Sequence, residues 1–217
     1  MIYSPSLMCS NCDSLRDEVL ALEAAGANRL HIDVMDGQYV PNFALGLGDV
    51  KSICRNTSLV TELHMMICEP GRYIKMFADL GVDIIYVHPD SDRQPKAVLQ
   101  RIRELGKSPG IVINPEATIE DMREYFDLVD NILVMGVKPG YAGHIYLPHV
   151  DQKLEKLIEL RANASWKIIL DGACTLDRMK RWSKKGVDGF VLGTSSLFGH
   201  LNSYKDIIDN IKRECGD

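Results

Sequence analysis

Four side chains that could bind a metal ion lie at the ends of three apolar segments. His31 and Asp33 are two residues apart in LHIDVMDG, His64 lies in ELHMM, and Asp171 lies in IILDG. Residues two apart in a β-strand share a face, so His31 and Asp33 are expected to point the same way. Two imidazoles and two carboxylates suit zinc, iron, manganese or cobalt. The sequence therefore predicts a site for one divalent metal ion.

The two aspartates are the hardest of these residues to explain as ordinary structure. Both lie in runs apolar enough to be buried, where a carboxylate is costly unless it is paired or bound to a metal. A structural ion pair is the competing interpretation, but HIDVM and KIILD contain only one basic residue, Lys167. A lone strand histidine such as His64 is more often a hydrogen-bonded core residue than a ligand.

Two carboxylates beside a metal suit proton transfer at a carbon next to a carbonyl group. A metal that holds the oxygens on C2 and C3 of a ketose stabilises the enediolate formed when the C3 proton leaves. A carboxylate on each face, here Asp33 and Asp171, can remove or return that proton. We therefore expect inversion at C3, with one aspartate ionised while the other holds a proton.

The elements that must position these residues alternate along the chain. Apolar, β-branched runs recur, each followed by helical periodicity, which favours parallel strands joined by crossover helices. We predict strands near residues 2–8, 29–34, 59–65, 83–88, 109–113, 131–135, 167–171 and 188–192. We predict helices near residues 12–25, 46–55, 70–80, 92–105, 118–127, 149–162, 175–185 and 203–214.

Eight such repeats without a long linker predict a single (β/α)₈ barrel domain over residues 1–217. An open doubly wound sheet is the alternative, but SPSLMCSNC after the first strand lacks the G-x-G-x-x-G motif. Catalytic groups of barrels lie at the C-terminal strand ends and in the loops that follow. The four candidate ligands occupy such ends, so they are expected to meet at one mouth.

Glycines recur in the loops after the last three predicted strands. Loop 6 reads KPGYAGH, loop 7 reads DGAC and loop 8 reads LGTSSLF. Barrels often bind phosphate there, through backbone N–H groups and a short helix that Thr194 or Ser195 could cap. Glycine also serves turn geometry alone, but its presence in all three loops favours an anion site.

Composition excludes several classes of protein. The chain has 217 residues, 46% of them hydrophobic, which is enough for a sizeable core. The net charge of -5 disfavours nucleic acid as a partner. The N-terminus MIYSPSLM lacks a signal-peptide pattern and no apolar run could span a membrane, so we expect a cytoplasmic protein. Six cysteines suggest reduced thiols, and the lone C-x-x-C of Cys9 and Cys12 is expected to be structural rather than redox-active or zinc-binding.

Across nearly its whole length the chain resembles the ribulose-phosphate 3-epimerase family. The matching stretches are SPSLM, HIDVMDGQYVPN, LHMMICEP, VHPD, INPEAT, VMGVKPGYAG, LDGA and LGTSSLF. The resemblance implies a TIM barrel of the ribulose-phosphate-binding type that acts on a sugar phosphate. It also implies a metal site and an acid/base pair, Asp33 and Asp171, within the metal ligands His31, Asp33, His64 and Asp171.

The resemblance implies further roles around the metal. Ser6 and His64 would contact the sugar, and a lid would close over it, formed by Gly140, Tyr141, Ala142 and Gly143. The phosphate would be held by Gly172, Ala173, Gly193 and Thr194. Three methionines would lie near the reacting carbons, although core filling explains them equally well: Met35, Met65 and Met135. A homo-oligomer is also implied, although no heptad pattern indicates one.

The resemblance leaves two substrate pairs open: D-ribulose 5-phosphate with D-xylulose 5-phosphate, or D-allulose 6-phosphate with D-fructose 6-phosphate. SLMC after the first strand and HPD after the fourth are closer to D-allulose-6-phosphate 3-epimerases. The chain departs from the family pattern at Ala173, where glycine is common, at His144, where glutamine is usual, and at Gly136, where a hydroxyl residue is frequent. None of these departures removes a metal ligand.

Three other functions remain as alternatives. A lyase of the orotidine-phosphate decarboxylase type relies on D-x-K-x-x-D, but the corresponding strand reads DVMDG, without lysine. A metal hydrolase on this fold would typically carry H-x-H after its first strand, where this chain has SPS. A non-catalytic binding protein could retain the fold, but it would be expected to have lost a ligand, and all four are present.

Overall fold

The computed structural model describes residues 1–161 and 164–216. Strands and helices alternate along these residues. The strands are β1 (Ile2–Pro5), β2 (Arg29–Met35), β3 (Val60–Met66), β4 (Ile84–Val87), β5 (Ser108–Ile113), β6 (Asn131–Met135), β7 (Lys167–Asp171) and β8 (Gly189–Leu192). The helices are α1 (Leu15–Ala24), α2 (Leu47–Asn56), α3 (Ile74–Asp79), α4 (Pro95–Glu104), α5 (Ile119–Met122), α6 (Val150–Leu160), α7 (Leu176–Lys185) and α8 (Tyr204–Cys215).

The strands form one parallel sheet that curls into a ring. Hydrogen-bonded neighbours follow the order β1-β8-β7-β6-β5-β4-β3-β2. A parallel bridge between Ser6, just after β1, and His31 in β2 joins the two ends of this order. The (β/α)₈ barrel predicted from the sequence is thereby confirmed.

The predicted boundaries agree with the structure to within a few residues. β1 ends at Pro5 instead of residue 8, because the chain turns there into a 3₁₀ helix, Leu7–Cys9. The helix predicted over 118–127 is α-helical only over Ile119–Met122 and continues as a 3₁₀ helix, Arg123–Leu128. The helix predicted over 149–162 ends at Leu160, and residue 162 lies outside the described residues.

Period-two alternation along the strands separates two cores. Outward-facing residues such as Leu30, Ile32 and Leu63 pack in the layer between the strands and the helices. Inward-facing apolar residues fill the far side of the barrel, among them Tyr86, Val112, Leu133, Ile169 and Val191. The inward positions of β2 and β3 instead carry buried polar groups: Arg29, His31, Asp33, Glu62 and His64. One side of the barrel interior is therefore polar, which is unusual for buried strands.

Two smaller predictions concern the thiols and the membrane. All six cysteines are free, in agreement with the expectation of reduced thiols. Cys9 is half-buried and Cys12 is exposed. Within residues 1–161 and 164–216, no helix is long and apolar enough to cross a bilayer.

Candidate active site

The four predicted metal ligands meet at the C-terminal end of the barrel. His31 and Asp33 belong to β2, His64 belongs to β3, and Asp171 is the last residue of β7. The strand register places Asp33 beside His64. Both histidines are fully buried and Asp33 is 3% exposed. One potential ligand atom from each of the four residues lies within 4.8 Å of the others.

The distances between these atoms fit a single small cation. Nε2 of His31 lies 3.4 Å from Oδ1 of Asp33 and 3.7 Å from Oδ2 of Asp171. Nδ1 of His64 lies 3.1 Å and 3.6 Å from the same two oxygens. Tetrahedral zinc with bonds of about 2.0–2.1 Å requires ligand atoms about 3.3 Å apart. Nε2 of His31 is buried and has no hydrogen-bond partner among the described residues, as expected of a nitrogen reserved for a metal.

The two carboxylates have opposite proton affinities. Burial raises the pKa of Asp171, and the nearby Asp33 carboxylate raises it further against the opposing effect of the histidines. Burial also acts to raise the pKa of Asp33, but His31 and His64 outweigh it, so this pKa lies well below its ordinary value. Such asymmetry leaves Asp33 ionised and makes Asp171 the easier of the two to protonate.

A layer of charged residues beneath the ligands was not predicted from the sequence. Glu62 is fully buried in β3, and its Oε1 lies 2.9 Å from Nδ1 of His31. Arg29 in β2 donates to Oε2 of Glu62 at 3.0 Å. A buried ion pair is therefore present beneath the ligands, but it joins Arg29 to Glu62 and does not involve the aspartates. Period two could have found both residues, since Arg29 shares a face with His31 and Glu62 shares one with His64.

His88 is a second residue that the sequence analysis did not select. It follows β4, is fully buried, and its Nε2 lies 2.8 Å from Nε2 of His64. Nδ1 of His64 is the nitrogen that faces Asp33 and Asp171. Burial and the neighbouring His64 hold the pKa of His88 well below its ordinary value, so His88 is neutral and its Nε2 can accept a hydrogen bond from Nε2 of His64.

The pocket above the ligands is lined by methionines and by Ser6. Ser6 donates from its hydroxyl to Oδ2 of Asp33 at 2.7 Å. Met35 and Met135 line the pocket. Met65 does not: it is an outward-facing residue of the layer under the helices, and Met66 lines the pocket instead. Because His64 points inwards, the period-two alternation of β3 turns Met65 outwards.

Loop 6 lies over this pocket and touches loop 2, which is residues 36–46 between β2 and α2. The pocket is lined by Gly140, Tyr141, Ala142, Gly143 and His144. Asn42 donates from Nδ2 to the carbonyl oxygen of Gly140 at 2.8 Å, and the Tyr141 hydroxyl donates to the carbonyl oxygen of Pro41. Nδ1 of His144 lies 3.1 Å from the carbonyl oxygen of Lys138 within the same loop. Loop 6 is thus held to loop 2 by two hydrogen bonds.

Loops 7 and 8 line the same pocket with Gly172, Ala173, Gly193 and Thr194. Gly172 and Ala173 are both left-handed, with φ of 100° and 50°. Loop 8 does not continue into the short helix that Thr194 or Ser195 was expected to cap. Residues 194–199 form a turn, in which the Gly193 carbonyl oxygen accepts from the N–H of Leu197 at 2.9 Å. Loop 8 therefore lines the pocket as a turn and not as the start of a helix.

Tyr146 contacts, directly or through Arg178, two of the positions that depart from the family pattern, Gly136 and Ala173. A Cβ on Gly136 would lie 2.7 Å from Cε2 of Tyr146 and 2.8 Å from the Gly172 carbonyl oxygen. The Arg178 guanidinium lies 3.6 Å from the centre of the Tyr146 ring and donates to the Ala173 carbonyl oxygen. Gly136 therefore admits the Tyr146 ring, and through Arg178 this ring supports the left-handed Ala173.

Solved structures of other proteins share this fold at low sequence identity. A 3-keto-L-gulonate-6-phosphate decarboxylase from Vibrio cholerae has a TM-score of 0.74 at 16% identity, covering 99% of this chain and 96% of its own. A phosphoribosyl anthranilate isomerase from Thermus thermophilus has a TM-score of 0.72 at 13% identity, covering 98% and 99%. At such identities these likenesses establish the fold alone.

Sequence comparison adds the family. A ribulose-phosphate 3-epimerase of Synechocystis sp. is 33% identical to this chain, over 98% of this chain and 93% of the relative. A ribulose-phosphate 3-epimerase of Bacillus subtilis is 32% identical, over 94% of this chain and 95% of the relative. A chloroplastic ribulose-5-phosphate-3-epimerase of Arabidopsis thaliana is 32% identical over 98% of this chain and 76% of its own length. The model of the ribulose-phosphate 3 epimerase family matches residues 2–198, and the chain belongs to this family of carbohydrate isomerases.

Proposed function

We propose that this enzyme inverts C3 of a ketose phosphate by proton transfer between Asp33 and Asp171, with one divalent metal ion. The substrate pair is D-ribulose 5-phosphate and D-xylulose 5-phosphate, or D-allulose 6-phosphate and D-fructose 6-phosphate. The observation that carries the proposal is the approach of both carboxylates to the same two buried histidines, within 3.7 Å of their ring nitrogens.

The aspartates would divide the work as base and acid. Asp33, whose pKa is lowered by His31 and His64, accepts the C3 proton on one face of the sugar. Asp171, whose pKa is raised by burial, returns a proton to the other face. In the reverse direction the two residues exchange roles. Ser6 donates to Asp33 at 2.7 Å and so keeps this carboxylate in one orientation.

His31, Asp33, His64 and Asp171 would hold the metal ion. When bound, the ion supplies positive charge to the oxygens on C2 and C3 while the proton leaves C3. The fit of the donor distances and the unpartnered Nε2 of His31 support this assignment. Zinc, iron, manganese and cobalt all accept such ligands.

The loops would hold the remainder of the substrate. Gly172, Ala173, Gly193 and Thr194 lie together in the pocket and would bind the phosphate, mainly through backbone N–H groups. Loop 6, from Gly140 to Gly143, would exclude water from the sugar. The methionines Met35, Met66 and Met135 offer an apolar surface to the reacting carbons.

Proton exchange in heavy water tests the reaction. We expect the enzyme, supplied with Zn²⁺, Mn²⁺, Co²⁺ or Fe²⁺, to load deuterium at C3 of ribulose 5-phosphate, allulose 6-phosphate or both. Mass spectrometry or proton NMR measures the exchange. The absence of exchange with either sugar and every metal would refute the epimerase function. The ratio of kcat/KM for the two sugars then identifies the preferred substrate.

Replacement of the proposed acid gives a second test. Asp171→Asn cannot shuttle a proton, so we expect kcat to fall by about 10²–10⁴-fold while the fold is retained. Asp79→Asn is a matched control, because Asp79 pairs with Lys75 on the surface of α3. It should leave kcat unchanged. Full turnover by Asp171→Asn would show that Asp171 is not the acid.

A further inference from the structure

We propose that Glu62 is a positioning residue that keeps the ring proton of His31 on Nδ1 and thereby aims the lone pair of Nε2 at the metal site. Glu62 precedes His64 by two residues in β3 and faces the same interior. This role rests on the proposed function, since it requires that His31 bind a metal ion. Glu62 itself has no place in the proton transfer proposed above.

Glu62 is surrounded by hydrogen-bond donors at a depth that water does not reach. Its side chain is 0% exposed. Oε1 accepts from the Ser4 hydroxyl at 2.7 Å and lies 2.9 Å from Nδ1 of His31. Oε2 accepts from Arg29 at 3.0 Å and from the Tyr86 hydroxyl at 3.5 Å. A carboxylate with this many donors is ionised and can only accept hydrogen bonds.

The tautomer of His31 follows from this environment. Because Glu62 can only accept, Nδ1 of His31 must carry a proton. A neutral imidazole with a proton on Nδ1 presents its lone pair at Nε2. This is the buried nitrogen that faces Asp33 and Asp171 and lacks a hydrogen-bond partner among the described residues. Carboxylate–histidine pairs of this kind orient many metal ligands.

Arg29 fixes which oxygen of the Glu62 carboxylate is available to His31. Its guanidinium bonds Oε2, on the side of Glu62 away from His31, and balances the buried negative charge. An ion pair that served only the packing of the barrel would not need to contact His31. Arg29 therefore stabilises Glu62 as a carboxylate, and Glu62 in turn orients the ligand.

The two histidines would consequently bind the metal through different nitrogens. His64 presents Nδ1 to the carboxylates, and its Nε2 contacts His88. His31 presents Nε2, and its Nδ1 contacts Glu62. Each ligand thus has its own partner on the side away from the metal, an accepting carboxylate in one case and a neutral imidazole in the other.

Glu62→Gln tests the role with little change in size. Arg29 can only donate, so it favours the amide oxygen on its own side. The amide NH₂ group then faces Nδ1 of His31, which must accept, and the ring proton moves to Nε2. We expect the affinity for Co²⁺ to fall by about 10–100-fold, measured by competition with a chromophoric chelator. The d–d absorption of bound Co²⁺ should change as well.

A double variant separates orientation from simple packing. In Arg29→Met/Glu62→Gln no cation dictates the direction of the amide, so its oxygen can turn to His31. We expect this variant to bind Co²⁺ about tenfold more tightly than Glu62→Gln alone. If Arg29 and Glu62 served packing alone, adding Arg29→Met to Glu62→Gln would lower the Co²⁺ affinity further or leave it unchanged. Thermal melting of each metal-free variant checks that it is folded.

The control is a glutamate with comparable partners far from the site. Glu23 in α1 accepts from the hydroxyls of Thr57 and Ser58. Glu23→Gln removes the same charge and should leave the Co²⁺ affinity unchanged. Wild-type Co²⁺ affinity in Glu62→Gln, or a double variant that binds no better than Glu62→Gln, would overturn the role of Glu62.

Nitrogen NMR of zinc-loaded wild-type protein keeps the test valid if a variant does not fold. It should show one zinc-bound histidine with its proton on Nδ1 and another with its proton on Nε2. Two zinc-bound histidines of the same tautomer would contradict the inference. A wild-type protein that binds neither Co²⁺ nor Zn²⁺ would overturn both proposals. One that binds metal with the expected variant pattern but exchanges no C3 proton would overturn the epimerase function alone.

Discussion

The two halves of the active site are built in different ways. Its floor, consisting of His31, Asp33, Glu62 and His64, projects from two paired strands, and every member is 3% exposed or less. Its rim, consisting of loops 6, 7 and 8, presents backbone groups from turns and includes Tyr141, which is 44% exposed. The floor thus uses side chains locked by strand register, while the rim uses backbone conformation.

This difference separates chemistry from recognition. Metal binding and proton transfer, as proposed, require fixed side-chain positions, which paired strands supply for His31, Asp33 and His64. A phosphate and a sugar must enter and leave, which requires groups that can move. We therefore expect changes in the floor to affect metal binding and kcat, and changes in the rim to affect KM and leave metal binding intact.

The largest effect is expected from Asp33→Asn, which alters a residue proposed to be both a metal ligand and a base. We expect kcat/KM to fall by about 10⁴-fold or more and the Co²⁺ affinity to fall with it. Steady-state kinetics and chelator competition measure the two effects. Normal Co²⁺ affinity combined with lost turnover would restrict Asp33 to the role of base and weaken the idea that the floor acts as one unit.

Gly136→Ser tests the rim. The new Cβ would meet the Tyr146 ring at 2.7 Å and displace it, which withdraws support from Arg178 and Ala173. We expect kcat/KM to fall by about 10–100-fold, mainly through KM, with unchanged Co²⁺ affinity. Tyr146→Ala withdraws the same support without adding a side chain at position 136, so it should raise KM in the same way. A fall in metal affinity would mean that floor and rim are not separable.

The pH dependence of stability tests the floor without a substitution, and a smaller effect is expected. Burial acts to lower the pKa of His31, but Asp33 and Glu62 outweigh it and raise this pKa well above its ordinary value. A pKa that is higher in the folded state stabilises the folded protein at pH values below the unfolded-state pKa of about 6.5. This stabilisation is lost as the pH rises through the folded-state pKa. The Tm of metal-free protein should therefore fall by a few degrees, about 2–4 °C for each 1 kcal/mol, as the pH rises above about 6.5 and through the folded-state pKa of His31.

Zinc should reverse this trend, because the metal requires neutral His31 and competes with its proton. The increase in Tm upon zinc addition should be larger at pH 8.5 than at pH 6. Calorimetry with and without a chelator measures both. A zinc effect that is independent of pH would argue against His31 as a ligand.

The smallest effect is expected from Ala173→Gly in the rim. Ala173 has a φ of 50°, which glycine adopts more readily than alanine. We expect stability to rise by up to about 1 kcal/mol, or about 2–4 °C in Tm. Metal affinity should not change. A lower Tm would indicate that Arg178 and its neighbours already relieve the strain at this position.

The floor could largely be predicted from the sequence because it obeys a simple rule. Alternation along β2 and β3 places His31, Asp33 and His64 inwards, as expected. The same rule, applied consistently, would have placed Met65 outwards and revealed Glu62 beneath the ligands. The expectation that Met65 lies near the reacting carbons came from the resemblance alone, which does not indicate the side of the strand that a residue occupies.

The rim could be predicted only in outline. Glycines marked the three loops, but their backbone conformations depend on contacts between distant residues, such as the Tyr146 ring over Gly136. The turn after β8 shows the same limit, because a capping residue such as Thr194 is compatible with either a helix or a turn. Local signals identify where such loops lie, while tertiary packing decides their shape.

The bridge between Ser6 and His31, where β1 meets β2, links the candidate metal site to the closure of the barrel. The ring has a seam there, and the ligands lie on both sides of it: His31, Asp33 and His64 on β2 and β3, and Asp171 on β7, beyond β8 and β1. A cation bound by all four residues would hold together the strands on the two sides of this seam. Its binding energy would then resist the separation of β1 from β2, and an open barrel would be unable to retain the ion.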